Sequence, residues 1–190
     1  KFQMKILIIQ EKRSKNGFEG TLRHLIYCCK ELNKRNIDYV VIYNSNDKLY
    51  KYMLSQNINV VYLPFPAKTV KNLFHKRFEV FKIRKKIKKI IEINNITHIH
   101  VQNAYILDFL EKKWNIKITA HCYSAFIKNE PIKYFYPKLL MDPRLLLHKF
   151  YEKLIVFNYR KADRVIAVSK AAKKTLIEKY GVQKIKIKII

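Results

Sequence analysis

RKADRVIAVSKAAKKTLIEKYGVQKIKIKII, residues 160–190, reads as one strand, one helix and a second strand in immediate succession. DRVIAVS (163–169) carries a short continuous apolar run, as a strand covered on both faces does. AAKKTLIEKY (171–180) has helical composition and ends against Gly181, in the place of a glycine cap. KIKIKII then closes the chain as a strand. Two strands joined through a helix pair in parallel by a right-handed crossover, so this stretch alone points to an α/β protein.

Working outward, the same rhythm runs back to the start. MKILII (4–9) is a short apolar run. Leu22, Leu25, Ile26, Cys29 and Leu32 then place one apolar stripe on a helix of about residues 19–35, for which Asn36 is a reasonable stop. DYVVIY (38–43), a polar helix near 47–56, INVVYL (58–63), a basic helical segment to Asn94, a strand at 97–101, a helix AYILDFLEKKW (104–114) and IKITA (116–120) continue the series. The alternation predicts a doubly wound, mostly parallel sheet of six or seven strands with helices on both faces and MKILII in its interior. Only 126–159, with Pro131, Pro137 and Pro143, breaks the rhythm; it reads as a loop followed by a long helix from about Arg144.

The 190 residues suffice for one domain, taken here as 4–190, with a core that buries roughly 70% of the unfolded surface. With 49% apolar residues, three Gly and five Pro, the chain is neither collagenous nor low in complexity. No run approaches the ~18 apolar residues of a spanning helix, and KFQMKILIIQEKRSK offers no signal-peptidase site, so a cytoplasmic location is expected. Cys28, Cys29 and Cys122 have neither zinc nor disulfide spacing and read as reduced, buried thiols.

Forty Lys and Arg against fourteen Asp and Glu leave a net charge of +26. Ten of the cations fall between Lys68 and Lys89 with a single acid, Glu79, where even spreading would place about five. Phe78, Phe81, Ile83, Ile87, Ile90 and Ile91 are interleaved there with Lys82, Lys85, Lys86 and Lys89. This is a basic amphipathic helix, and its lysines are the candidate contacts with an anionic membrane surface. The same periodicity also suits a crossover helix whose Ile stripe covers the sheet while its lysines are merely solvated.

Ligands of an open parallel sheet bind beyond the carboxyl ends of its strands, near the switch in strand order. The residues due there are the 10–20 loop, Gln102 and Asn103, His121 to Ser124, and Ser169 with Lys170. The loop QEKRSKNGFEG lacks the GxGxxG spacing of a dinucleotide cradle. Gly17 and Gly20 flank a helix start, whose free N–H groups favour an anion or a sugar hydroxyl.

MKILIIQ followed by EGTLRHLIYCCKELNKRN resembles the opening strand, glycine loop and first helix of glycosyltransferase family 4, which usually has Gly-Gly where Glu19 and Gly20 stand. The 160–190 stretch resembles the last strand, helix and strand of that family's N-terminal domain, and ITHIHVQN and IKITAHCYS stand in the expected order between. The resemblance implies the Rossmann-like, acceptor-side domain of a GT-B enzyme that transfers sugar with retention from a nucleotide-sugar donor to a glycan or lipid-linked acceptor. It implies a donor-binding C-terminal domain not contained in these residues, so this half alone would be inactive. No further cofactor is implied. His121 stands where the family commonly places a cleft histidine and is the candidate catalytic residue; Gly17, Gly20, Asn103, Tyr123, Ser169 and Lys170 are the candidate cleft contacts.

His98 and His100 share one face of a strand, but spacing supplies no third metal ligand, and Asp108, Glu130 and Asp142 form no recognisable acid/base pair. The rival reading is a non-catalytic basic module. A membrane surface suits it better than nucleic acid, since neither an RNP-like run nor a basic helix-turn-helix pattern is present.

Overall fold

The computed structural model describes residues 3–11, 20–65, 73–102, 104–122, 158–178 and 180–190. Seven strands form one sheet in the order β3-β2-β1-β4-β5-β6-β7, every neighbouring pair parallel. They are β1 (Lys5–Gln10), β2 (Asp38–Tyr43), β3 (Val60–Tyr62), β4 (His98–Val101), β5 (Lys117–Cys122), β6 (Arg164–Ala167) and β7 (Ile187–Ile189). The described helices are α1 (Gly20–Lys34), α2 (Lys48–Ser55), α3 (Leu73–Ile93) and α4 (Lys170–Glu178). β1 is interior, as the sequence predicts. Strand order reverses between β1 and β4, and open parallel sheets take their ligands beyond the carboxyl ends of the strands at such a reversal.

The continuous apolar runs serve two cores. Along β1 and β2, Leu7, Ile9, Val40 and Ile42 join one cluster with Ile83, Ile87 and Ile91 of α3 and Ala172 and Leu176 of α4. The alternate residues Ile8, Tyr39, Val41 and Tyr43 join the other, with Leu25, Ile26 and Cys29 of α1 and Leu49 and Met53 of α2. Each such fully buried aliphatic side chain contributes about 1.5–3 kcal/mol relative to exposure. Cys29 and Cys122 are buried, whereas Cys28 is only half-buried.

With three glycines in the whole chain, asparagine makes most of the tight helix exits. Asn36, Asn57 and Asn95 have φ of 52°, 54° and 52°, and each is followed by isoleucine and then by a strand. The N–H of Ile37 reaches Leu32 O at 3.0 Å, that of Ile58 reaches Met53 O at 3.0 Å, and that of Ile96 reaches Ile91 O at 3.0 Å. Asn36, Asn57 and Asn95 themselves donate to Asn33, Leu54 and Glu92, completing three Schellman caps. Asn115, φ 54°, repeats the Asn-Ile device before β5, and Gly181, φ 57°, takes the left-handed position before β7. α2 is capped at its other end by Asp47, which accepts from Leu49 N and Tyr50 N.

The structure corrects one predicted element and shortens another: of KIKIKII, Lys184–Lys186 form a 3₁₀ turn and only Ile187–Ile189 the strand. Residues 104–114 are not an α-helix but two 3₁₀ turns, Ile106–Phe109 and Lys112–Trp114, with Leu110 extended between them. Ala104 to Leu107, Phe109 and Leu110 are all buried, an apolar arc wider than the stripe of a surface helix. The Asp108 carbonyl, which a helix would give to its own next turn, instead accepts from Arg84 Nη2 at 2.7 Å and Nε at 3.2 Å. The expected loop and long helix of 126–159 lie almost wholly outside the described residues.

Candidate functional site

The carboxyl ends of β1, β4 and β5 carry polar side chains that the fold buries. Gln10 is only 1% exposed, and Glu11, Gln102 and His121 are also buried, the last at 4%. Gln10 Nε2 donates to Glu11 O at 2.7 Å, but its Oε1 has no hydrogen-bond partner. A buried carbonyl oxygen left in this state costs about 1–3 kcal/mol unless water or a ligand satisfies it. Beside them Tyr105 is buried, and its phenol is pushed well above its ordinary range by burial, then by the charges of Glu11, Asp108 and Glu79.

His121 sits where β5 reaches the edge, its carbonyl accepting from the buried Tyr159 hydroxyl at 2.9 Å. Its ring centroid lies 4.6 Å from that of His100 on β4 and 5.5 Å from that of His24 on α1. Burial, then the neighbouring His100 and His24, lower the His121 pKa from 6.5 to about 3. Burial and His24 lower His100 from 6.5 to about 4. At neutral pH both rings are uncharged, so His121 presents one N–H donor and one nitrogen acceptor, a set suited to sugar hydroxyls.

The other predicted residues divide. Gly20 is the first residue of α1, one helical turn before His24. Ser169 follows β6, and its Oγ accepts from Ala172 N at 3.0 Å, so it caps α4; Lys170 opens that helix and is exposed. The fold therefore sets Gly20, His121, Ser169 and Lys170 at element ends along the carboxyl edge. Gly17, Asn103 and Tyr123 lie outside the described residues. His98 and His100 share a face as read, but only His100 joins the ring cluster. His98 lines a groove of about 690 Å³ at the opposite, amino edge with Lys112, Lys117, Lys161, Asp163 and Arg164. That edge is not where parallel sheets take their ligands. Among the described residues, no group of three or more His, Cys, Asp or Glu is arranged to hold a metal ion.

Lys82, Lys85, Lys86 and Lys89 form an exposed outer face of α3. Phe78 and Phe81 stand among them, 58% and 63% exposed, with Lys82 Nζ 4.4 Å from the Phe78 ring centre. The Ile stripe does pack on the sheet, yet these phenylalanines lie outside it. No helix among the described residues is long and apolar enough to cross a membrane.

The sequence alone does not single out His24; it offers His100 only as a metal-ligand candidate, and Gln10 and Glu11 only as part of the 10–20 loop. The signal available was register: Ile9 pairs with Val101 and Val101 with Ala120, which brings Gln10, Gln102 and His121 level at one edge.

A family model described as Glycosyltransferase Family 4 matches residues 18–190. Among solved structures, a glycosyltransferase from Rickettsia africae superposes over 100% of the chain with a TM-score of 0.65 and 20% identity. Anabaena Alr3699/HepE in complex with UDP and glucose superposes over 99% with a TM-score of 0.63 and 15% identity. UDP-GlcNAc 2-epimerase from Methanocaldococcus jannaschii superposes over 98% with a TM-score of 0.59 and 20% identity. The chain spans 43%, 44% and 45% of those proteins' lengths. An epimerase beside transferases shows that the likeness identifies the fold and not the reaction. No curated protein matches the chain significantly.

Proposed function

The chain belongs to Glycosyltransferase Family 4, and from that membership we propose that it is the acceptor-side half of a retaining GT-B glycosyltransferase. In this reading a second domain binds the nucleotide-sugar donor, and the sugar passes to a glycan or lipid-linked acceptor of cell-envelope polysaccharide synthesis, at the cytoplasmic face of the membrane. The observation that carries the proposal is the buried, uncharged His121 at the carboxyl edge, level in register with Gln10 and its unsatisfied oxygen.

A neutral imidazole gives directed hydrogen bonds to hydroxyls of the transferred sugar, and its orientation matters more than its basicity. In this reading Gly20 at the start of α1 and Ser169 and Lys170 at the start of α4 line the cleft, and Gly17, Asn103 and Tyr123, which lie outside the described residues, are proposed as its further contacts. The test is incubation of an enzyme containing both domains with labelled UDP-sugars and lipid-linked acceptors, reading the product's anomeric configuration by NMR. Transfer with retention is expected; the 190-residue chain alone should transfer nothing, and turnover by it would mean that the halves are misassigned.

The outer face of α3 supports a second element of the proposal, peripheral contact with anionic lipid. Exposed Phe78 and Phe81 amid lysines suit a headgroup layer better than plain solvation does. This would bring a lipid-linked acceptor to the cleft. The same face is what a non-catalytic membrane-binding module would use, and sugar transfer by the two-domain enzyme separates the two.

A further inference from the structure

Three imidazoles meet at the carboxyl edge from three separate elements: His24 from α1, His100 from β4 and His121 from β5. The His121 ring is inclined at 57° to each of the other two, at 4.6 Å and 5.5 Å between centroids. His100 is held beneath, its Nε2 buried and without a hydrogen-bond partner.

We propose that His24 and His100 are positioning residues for His121, confining its imidazole to one orientation at the end of β5 so that a sugar meets it from a single side. The inference rests on the reading of His121 as the cleft histidine, and it adds how that ring is aimed. Tyr159 holds the end of β5 through the His121 carbonyl, and the two neighbouring rings restrict the side-chain torsions by contact. They also disfavour a proton on His121, because like charges at this separation repel in a buried site. Among the described residues, His100 from β4 and His24 from α1 are titratable groups that reach His121. Cys28 stands behind His24, its Sγ 3.6 Å from Nε2, with its thiol pushed up by burial. Since His24 lies one turn into α1, the seating of that helix's start is linked to the aim of the His121 ring.

The experiment is long-range ¹H–¹⁵N imidazole spectroscopy of the 190-residue chain between about pH 3 and 8, on wild type, His24→Gln, His24→Phe and His100→Asn, with the amide spectrum as the check on folding. Wild type should show His121 as a single tautomer titrating far below an ordinary imidazole. His24→Gln and His100→Asn should each raise the His121 midpoint and admit the second tautomer. His24→Phe, which keeps a ring without a charge, should raise the midpoint and keep the single tautomer. Should His100→Asn fail to fold, the two His24 variants, altered at a half-buried helix position, decide between them. An unchanged His121 spectrum in folded His24→Gln and His24→Phe would overturn the proposal. The cleft reading fails separately, if turnover of the two-domain enzyme survives loss of His121.

Discussion

The rings of His100 and His121, on neighbouring parallel strands, stand 4.6 Å apart between centroids, His121 buried and His100 half-buried, and both are neutral bases at neutral pH. Their folded pKa values, about 4 and about 3, lie below the ordinary 6.5, so as pH falls the unfolded chain takes up protons first. The contribution to stability is whole above about pH 6.5 and is lost as pH falls towards 4 and 3. Urea denaturation should therefore show the protein less stable at pH 5 than at pH 7, by up to about 2 kcal/mol for each histidine. His100→Asn should flatten that dependence.

The Asn-Ile exits make a prediction about stability alone. Asn57 and Asn95 hold φ of 54° and 52°, where a Cβ-bearing residue without a local hydrogen-bonding side chain is strained by about 1–2 kcal/mol. Asn57→Ala and Asn95→Ala should each destabilise by about 1 kcal/mol, and the corresponding glycine variants should be neutral or stabilising. Chemical denaturation midpoints with an unchanged slope would read this directly.

Arg84 is the one cation of the Ile-rich stretch of α3 that is turned inward. It donates to the Asp108 carbonyl and reaches Glu111 at 3.3 Å. Arg84→Met should cost about 1–3 kcal/mol, since it strips a carbonyl of a charged donor, while Lys85→Met on the outer face should fall within about 0.5 kcal/mol. Thermal melts of the two variants side by side test the assignment of faces.

For the outer face, wild-type protein should sediment with anionic vesicles at low salt and less so as salt rises, each nearby lysine being worth about 1 kcal/mol. A variant with Lys82, Lys85, Lys86 and Lys89 changed to Glu should remain in the supernatant. Equal sedimentation of the two proteins would remove α3 as the membrane contact.

Much of the fold was legible because apolar runs of strand length and apolar stripes at helical spacing are local properties. MKILII and the 160–190 stretch state their own environment. The 104–114 segment was misread because its apolar residues are buried on all sides and a guanidinium 24 positions away, on Arg84, takes up a carbonyl that a helix would need. Position in sequence could place His121 at a strand end. It could not show that His24 and His100 approach it, because that depends on how α1 is seated on the sheet. The Asn-Ile pairs at 36, 57, 95 and 115 are visible in the sequence as a repeated dipeptide before β2, β3, β4 and β5, and only the backbone angles reveal what they do.

The most direct test of the account is turnover of the two-domain enzyme carrying His121→Ala, compared with its melting temperature. A residue that aims hydrogen bonds at the reacting sugar should lower kcat by about 100-fold or more, with a far smaller proportional effect on folding. A variant that keeps kcat within about twofold of wild type, whether or not it melts earlier, would contradict the account and leave His121 as a buried packing residue.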